Sequence, residues 1–167
     1  MSSDRLKPEK ISKKILLKFI QEAKDYLKTD KTMKDIFKQY KLDINLIDYI
    51  PTMFADLDVS AKTDHGIVLL NYKLLEDDNF FKNYSYIIHE YTHFIQQCFG
   101  DEATQGADDG NYLENKFEQE GFQNQIKFID ENFGEGEVED YIRNLLDHHD
   151  VDKKDRKKMH EVLTAKI

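Results

Sequence analysis

The sequence predicts an α+β fold, mostly helical, with a small antiparallel sheet beside one central helix. Three observations predict it. Apolar residues recur at helical spacing near both ends and across residues 84–99 and 115–133. Two runs, 53–59 and 67–72, read instead as strands flanking a turn. Two prolines and 7 glycines in 167 residues leave little room for an interdomain linker, so 1–167 reads as a single domain. Within it, 1–41 forms basic N-terminal helices, 42–133 the core and 134–167 a C-terminal helical hairpin.

Pro8 is placed to open the first helix, running to about Lys28, with Ile11, Ile15, Leu16, Phe19, Ala23 and Leu27 as its apolar stripe. Thr29 or Asp30 can cap a second helix to about Tyr40, with Met33, Ile36 and Phe37 inward. Residues 43–49 suit a short helical turn that stops before Pro51. Met53, Ala55, Leu57 and Val59 alternate as in a half-buried strand, residues 62–66 read as a turn, and 67–72 complete a hairpin. An edge strand there could pair with an extended peptide backbone.

Residues 84–99 place Ile87, Ile88, Tyr91, Phe94, Ile95, Cys98 and Phe99 on one arc of a helix. His89, Glu90, His93, Gln96 and Gln97 fall on the opposite arc. Asn83 or Ser85 can cap its start, and Gly100 can end it at the position after the last turn. A polar loop, 100–111, leads to a helix over 115–133. Gly134-Glu135-Gly136 breaks the chain, and two short helices, 137–146 and 153–165, flank His148-His149-Asp150.

The chemistry concentrates in His89-Glu90-Tyr91-Thr92-His93. This is H-E-x-x-H, and positions i and i+4 of a helix share a face, so two imidazoles can grip one Zn²⁺. A catalytic zinc needs a third protein ligand and keeps one position for water. On the next helix, Phe117, Gly121, Phe122, Ile126, Phe128 and Ile129 form the apolar arc, and Glu118 falls near its middle. A carboxylate there is costly unless it is paired, protonated or metal-bound, which makes Glu118 the favoured third ligand. Glu120, well outside the arc, is the runner-up. With Asn115 as N-cap, Glu118 also occupies the capping-box position.

The pattern H-E-x-T-H-x-x-Q followed by E-x-E-G-x-x-x-Q, carried by His89, Glu90, Thr92, His93, Gln96, Glu118, Glu120, Gly121 and Gln125, resembles the small gluzincin-type zinc metallopeptidases. These include short single-domain proteins often met in phage and mobile-element genomes. The resemblance spans roughly residues 50–132. It implies a zincin-like core, zinc on two His and the first Glu of E-x-E, and peptidase activity. Two departures stand out. Relatives usually have Ala at Gly121, and Gly there costs a helix about 1 kcal/mol, so close backbone packing is expected. Better-studied relatives carry Asp or Asn where Phe122 stands, so an orienting partner for His89 or His93 must come from elsewhere.

In the implied reaction Glu90 is the general base on a water held by the metal, and the bond broken is a peptide bond. Tyr112, His148 and His149 are candidate oxyanion donors. The alternative is a zincin-fold binding or regulatory protein of weak or no catalytic power. A di-iron carboxylate bundle needs Glu-x-x-His on two helices, and this chain has it once.

Charge supports a cation site. Residues 1–41 hold 12 Lys and Arg against 6 Asp and Glu, 42–150 hold 6 against 24, and 151–167 hold 6 against 3. The acidic middle favours divalent cations and basic peptide or protein substrates over nucleic acid. A lone cysteine, Cys98, allows no disulfide within the chain and reads as a core residue. The N-terminus lacks an apolar leader, and no stretch approaches the ~20 apolar residues of a membrane span, so a soluble cytoplasmic protein without a membrane partner is expected.

Overall fold

In a computed structural model, which describes residues 12–76, 80–100 and 112–167, six α-helices accompany a three-stranded sheet. They are α1 (Lys13–Leu27), α2 (Lys31–Gln39), α3 (Tyr84–Phe99), α4 (Lys116–Phe133), α5 (Glu135–His148) and α6 (Lys153–Leu163). The strands are β1 (Thr52–Ala55), β2 (Ala61–Asp64) and β3 (Ile67–Asn71). The fold is therefore α+β and mostly helical, as the periodicity predicts.

Local chemistry sets most boundaries. Ser12 caps α1 by accepting from the Ile15 N–H, and the expected start at Pro8 lies outside the described residues. Asp30 caps α2 by accepting from the Met33 N–H, which orders Met33, Ile36 and Phe37 into the core. Ile15 is half exposed, because α1 rests on Ile20, Ala23 and Leu27 instead. Gly100 ends α3 in an extended conformation, φ −76°, and not in the left-handed one. Gly134, at φ 88°, ends α4 and starts α5 in one step, so the break expected over three residues needs only one.

The sheet corrects the hairpin reading. Residues 62–64, expected to turn, belong to β2, and the turn narrows to His65 and Gly66, both at positive φ (51° and 77°). Two such residues suit the twist of a tight hairpin. The strand order is β1-β3-β2, with β2 antiparallel to β3 and β1 parallel to it, so the sheet is mixed. The chain leaves β1, crosses β3 and returns through the hairpin. Buried Asn71 holds that crossing by donating to the carbonyls of Leu57 (2.8 Å) and Val59 (2.9 Å).

Two apolar clusters meet at α4. One joins α1, α2, β1, β3 and α3 around Leu27, Phe37, Ile47, Leu70 and Tyr91. The other joins α4, α5 and α6 around Phe122, Ile126, Val138, Ile142 and Leu163. Phe128 of α4 belongs to the first and Phe122 to the second, so α4 is braced on both sides. That bracing fixes its height over α3. No described helix is long and apolar enough to cross a membrane.

Candidate metal centre

Both faces of α3 are covered. Its apolar arc enters the first cluster, and its polar arc is closed over by α4 and β2, leaving His89 4%, Glu90 8% and His93 5% exposed. Burying such groups is costly unless each finds a partner. Among the described residues, every buried side-chain nitrogen and oxygen has one. Cys98 and Phe99, expected in the core, are exposed at the last turn of α3.

His89 and His93 point from successive turns of α3 at one oxygen of α4. Their Nε2 atoms lie 3.1 and 2.9 Å from Glu118 Oε1. Each of the three residues offers a ligand atom, and these atoms lie within 4.8 Å of one another. Two imidazole nitrogens and one carboxylate oxygen at this spacing suit a divalent ion such as the Zn²⁺ expected from the sequence. Burial opposes charge on both partners. On His93 it is outweighed by the hydrogen bond and charge of Glu118, with help from Glu90 and Gln96, and the pKa rises above its ordinary 6.5. On Glu118 it is outweighed by hydrogen bonds and charge from both imidazoles, which hold the carboxyl well below the usual carboxylate range.

Asn115 caps α4 by accepting from the Phe117 N–H, and the Glu118 carboxylate meets both imidazoles. Glu120 is elsewhere: its Oε1 accepts from the Tyr40 hydroxyl at 2.6 Å, tying α4 to the end of α2. The runner-up ligand thus does not join the cluster.

The ring positions are tightly held. Phe117 stacks on His93 at 4.4 Å and 3°, and Phe122 packs edge-on to His89 at 4.5 Å. Phe122 cannot accept a hydrogen bond, and the orienting partners are two glutamines. His89 Nδ1 meets Gln125 Oε1 at 3.0 Å, and His93 Nδ1 meets Gln96 Oε1 at 2.8 Å. Gly121 lets the helices close: a Cβ there would lie 2.8 Å from His89 Nε2. The expected close packing at this glycine therefore has the His89 ring itself as its partner.

Glu90 faces β2. The Thr63 hydroxyl lies 2.9 Å from Glu90 Oε1 and 3.0 Å from the Glu90 carbonyl, so a strand side chain holds the candidate base. Farther along α3, Thr92 donates to the Ile88 carbonyl and accepts from Asn124 of α4 at 3.1 Å, a further clamp between the two helices.

A cleft of about 630 Å³ opens at His89 and Glu90. Residues 58–61, Tyr86, Tyr112, Phe122 and Tyr141 line it, with His148 and His149 at its rim. Tyr112 is half exposed, and Glu118 and Glu90 are close enough for their charges to act on its phenol. Burial, then the charges of Glu118 and Glu90, push its phenol pKa up, so it keeps its proton. His149 stacks on Tyr112 at 5.1 Å and 13°, and His148 packs edge-on to His149 at 5.0 Å. Burial and the neighbouring His148 lower the His149 pKa against the pull of Asp150 and Glu118.

Sequence reasoning brought together His89, Glu90, His93 and Glu118, and the structure gathers all four at one cleft edge or just beneath it. It missed Thr63, which no local spacing marks. It quoted Gln96 and Gln125 without a role, although Gln96 lies three residues past His93 and Gln125 two turns past Glu118, on the faces concerned. No family model, curated protein or solved structure matches the chain.

Proposed function

We infer that this chain is a zinc-dependent metallopeptidase of the zincin type, with His89, His93 and Glu118 as the metal ligands. The observation that carries the reading is the convergence of His89 Nε2 and His93 Nε2 on Glu118 Oε1, at 3.1 and 2.9 Å, beside a cleft lined by His89 and Glu90. When bound there, a divalent ion acidifies water towards neutrality and polarises a carbonyl.

The protein's own groups supply the rest. Glu90 takes a proton from the attacking water and passes it to the leaving amine. Thr63 engages Glu90 Oε1, which leaves Oε2 as the oxygen for proton transfer. Tyr112 retains its proton and donates to the oxyanion that develops on the substrate carbonyl. An extended peptide pairs with β2, an outer strand of the sheet, and so runs past residues 58–61 into the cleft. The excess of acidic residues in 42–150 favours peptides with basic side chains.

Metal analysis of the purified protein, followed by mass-spectrometric mapping of cleavage in an unfolded protein such as casein, tests this. The expected result is about one zinc per chain, with cleavage that chelation abolishes and zinc restores. Glu90→Gln should keep the zinc and lose the cleavage, and normal turnover in that variant would remove Glu90 from its role. Zinc without any cleavage would leave a metal-holding binding or regulatory protein in its place.

A further inference from the structure

We propose that Gln96 and Gln125 are positioning residues that set both imidazoles in the one tautomer able to offer Nε2 to a cation. The inference rests on the metal-site reading above and concerns how that site is prepared. Both glutamines are 1% exposed. Gln96 Nε2 donates to the Phe117 carbonyl at 3.1 Å. A carbonyl only accepts, so this contact fixes the amide and turns Oε1 towards His93 Nδ1 at 2.8 Å. An amide oxygen carries no proton, so Nδ1 must supply it. Gln125 offers the same acceptor from α4, with Oε1 on His89 Nδ1 at 3.0 Å and Nε2 on Ser85 Oγ at 3.3 Å, a hydroxyl that accepts in this orientation.

The consequence lies on the other side of each ring. A neutral imidazole with its proton on Nδ1 presents a lone pair at Nε2. Both lone pairs then face Glu118 Oε1, at 3.1 and 2.9 Å. Three electron-rich atoms converge there; in the metal-free chain an imidazolium proton bridges them, and a cation takes that proton's place. A reversed Gln125 amide would put a donor against Nδ1 and move the proton to Nε2, where it would satisfy Glu118 and block the metal.

The choice of amide also matters. A carboxylate behind each ring would strengthen the imidazole as a ligand and add negative charge. Two glutamines orient the rings without that charge, so Glu118 is the one anionic ligand and the bound ion keeps more of its electrophilic character.

The test adds zinc to the metal-free full-length protein and measures affinity by chelator competition. Gln96→Met and Gln125→Met, which keep length but lose the acceptor, should each bind about 10- to 100-fold more weakly. Gln125→Glu restores an acceptor and should bind at least as tightly as the wild type. Methionine variants that fold and bind zinc like the wild type would overturn the proposal. Long-range ¹H–¹⁵N NMR of the zinc-loaded wild type needs no variant: both rings should carry the proton on Nδ1 and the metal on Nε2, and metal on Nδ1 of either ring would overturn it. A wild type that binds no zinc removes the metal site itself, whereas a binding wild type with unaffected variants removes only the role of the glutamines.

Discussion

Gly121→Ala separates stability from metal binding, because the two should move for different reasons. Alanine is the better helix former by about 1 kcal/mol. Its Cβ, however, would lie 2.8, 2.9 and 3.0 Å from Nε2, Cε1 and Cδ2 of His89, inside van der Waals contact. The ring cannot simply retreat. Gln125 holds Nδ1 at 3.0 Å, Phe122 packs edge-on at 4.5 Å, and His93 lies at 4.7 Å. Relief must come from a ring displacement of several tenths of an ångström or from α4 lifting off α3. Crowding of this kind costs about 1–3 kcal/mol, which the gain in helix propensity partly offsets.

The metal-free variant should therefore unfold within about 2 kcal/mol of the wild type. Zinc affinity has no such compensation, since metal–ligand distances tolerate only about 0.2 Å. A fall of about 10- to 100-fold, roughly 1.4–2.7 kcal/mol, is expected. Urea unfolding of the metal-free protein and chelator competition for zinc measure the two quantities. Gly136→Ala is the control, because nothing lies within 4 Å of the Cβ it would add. It should leave zinc binding untouched. If Gly121→Ala bound zinc as tightly as the wild type, the coupling of helix spacing to His89 would be refuted.

Other perturbations test the remaining assignments. Glu118→Gln should abolish stoichiometric zinc binding, whereas Glu120→Gln, which disturbs only the contact with Tyr40, should keep it; metal analysis after dialysis distinguishes them. Thr63→Val removes the hydroxyl that bonds the buried Glu90 carboxylate and should cost about 1.5–3 kcal/mol in urea unfolding, with zinc retained. The metal-free and zinc-loaded proteins should also respond oppositely to pH. His93 has a raised pKa, so its contribution to metal-free stability is complete below 6.5 and is lost as pH rises through the folded value. Glu118 has a lowered pKa, so its contribution is complete above 4.5 and is lost as pH falls through the folded value. The His93–Glu118 pair thus supports the metal-free chain best between pH 4.5 and 6.5. Zinc needs the imidazoles deprotonated, so the stabilisation it adds should grow as pH rises past 6.5. Thermal melts across pH with and without zinc should show the two trends, and parallel curves would count against the ion-pair assignment.

The helices were legible because their determinants are local. Ser12 aside, the caps Asp30 and Asn115 and the stripes of α2, α3 and α4 lie within a few residues of what they order. The parallel pairing of β1 with β3 was not, since adjacency along the chain suggests a hairpin and nothing local shows that the chain crosses to the far side of β3 first. Ile15 and Cys98 fit apolar arcs yet face solvent, because an arc says which way a side chain points and not whether a neighbouring element covers it.

The candidate centre divides in the same way. The four-residue spacing of His89 and His93 and the placing of Glu118 on an apolar face follow from the pitch of a helix, which the order of residues alone determines. That Glu118 and not Glu120 meets the imidazoles, that Thr63 holds Glu90, and that Gln96 and Gln125 stand behind the rings were decided only when α4 and β2 closed on α3. The separation of two helices is set by packing between side chains remote in sequence, here by Gly121 below and by the Phe122 and Phe128 clusters on either side, and no periodicity within one helix encodes it.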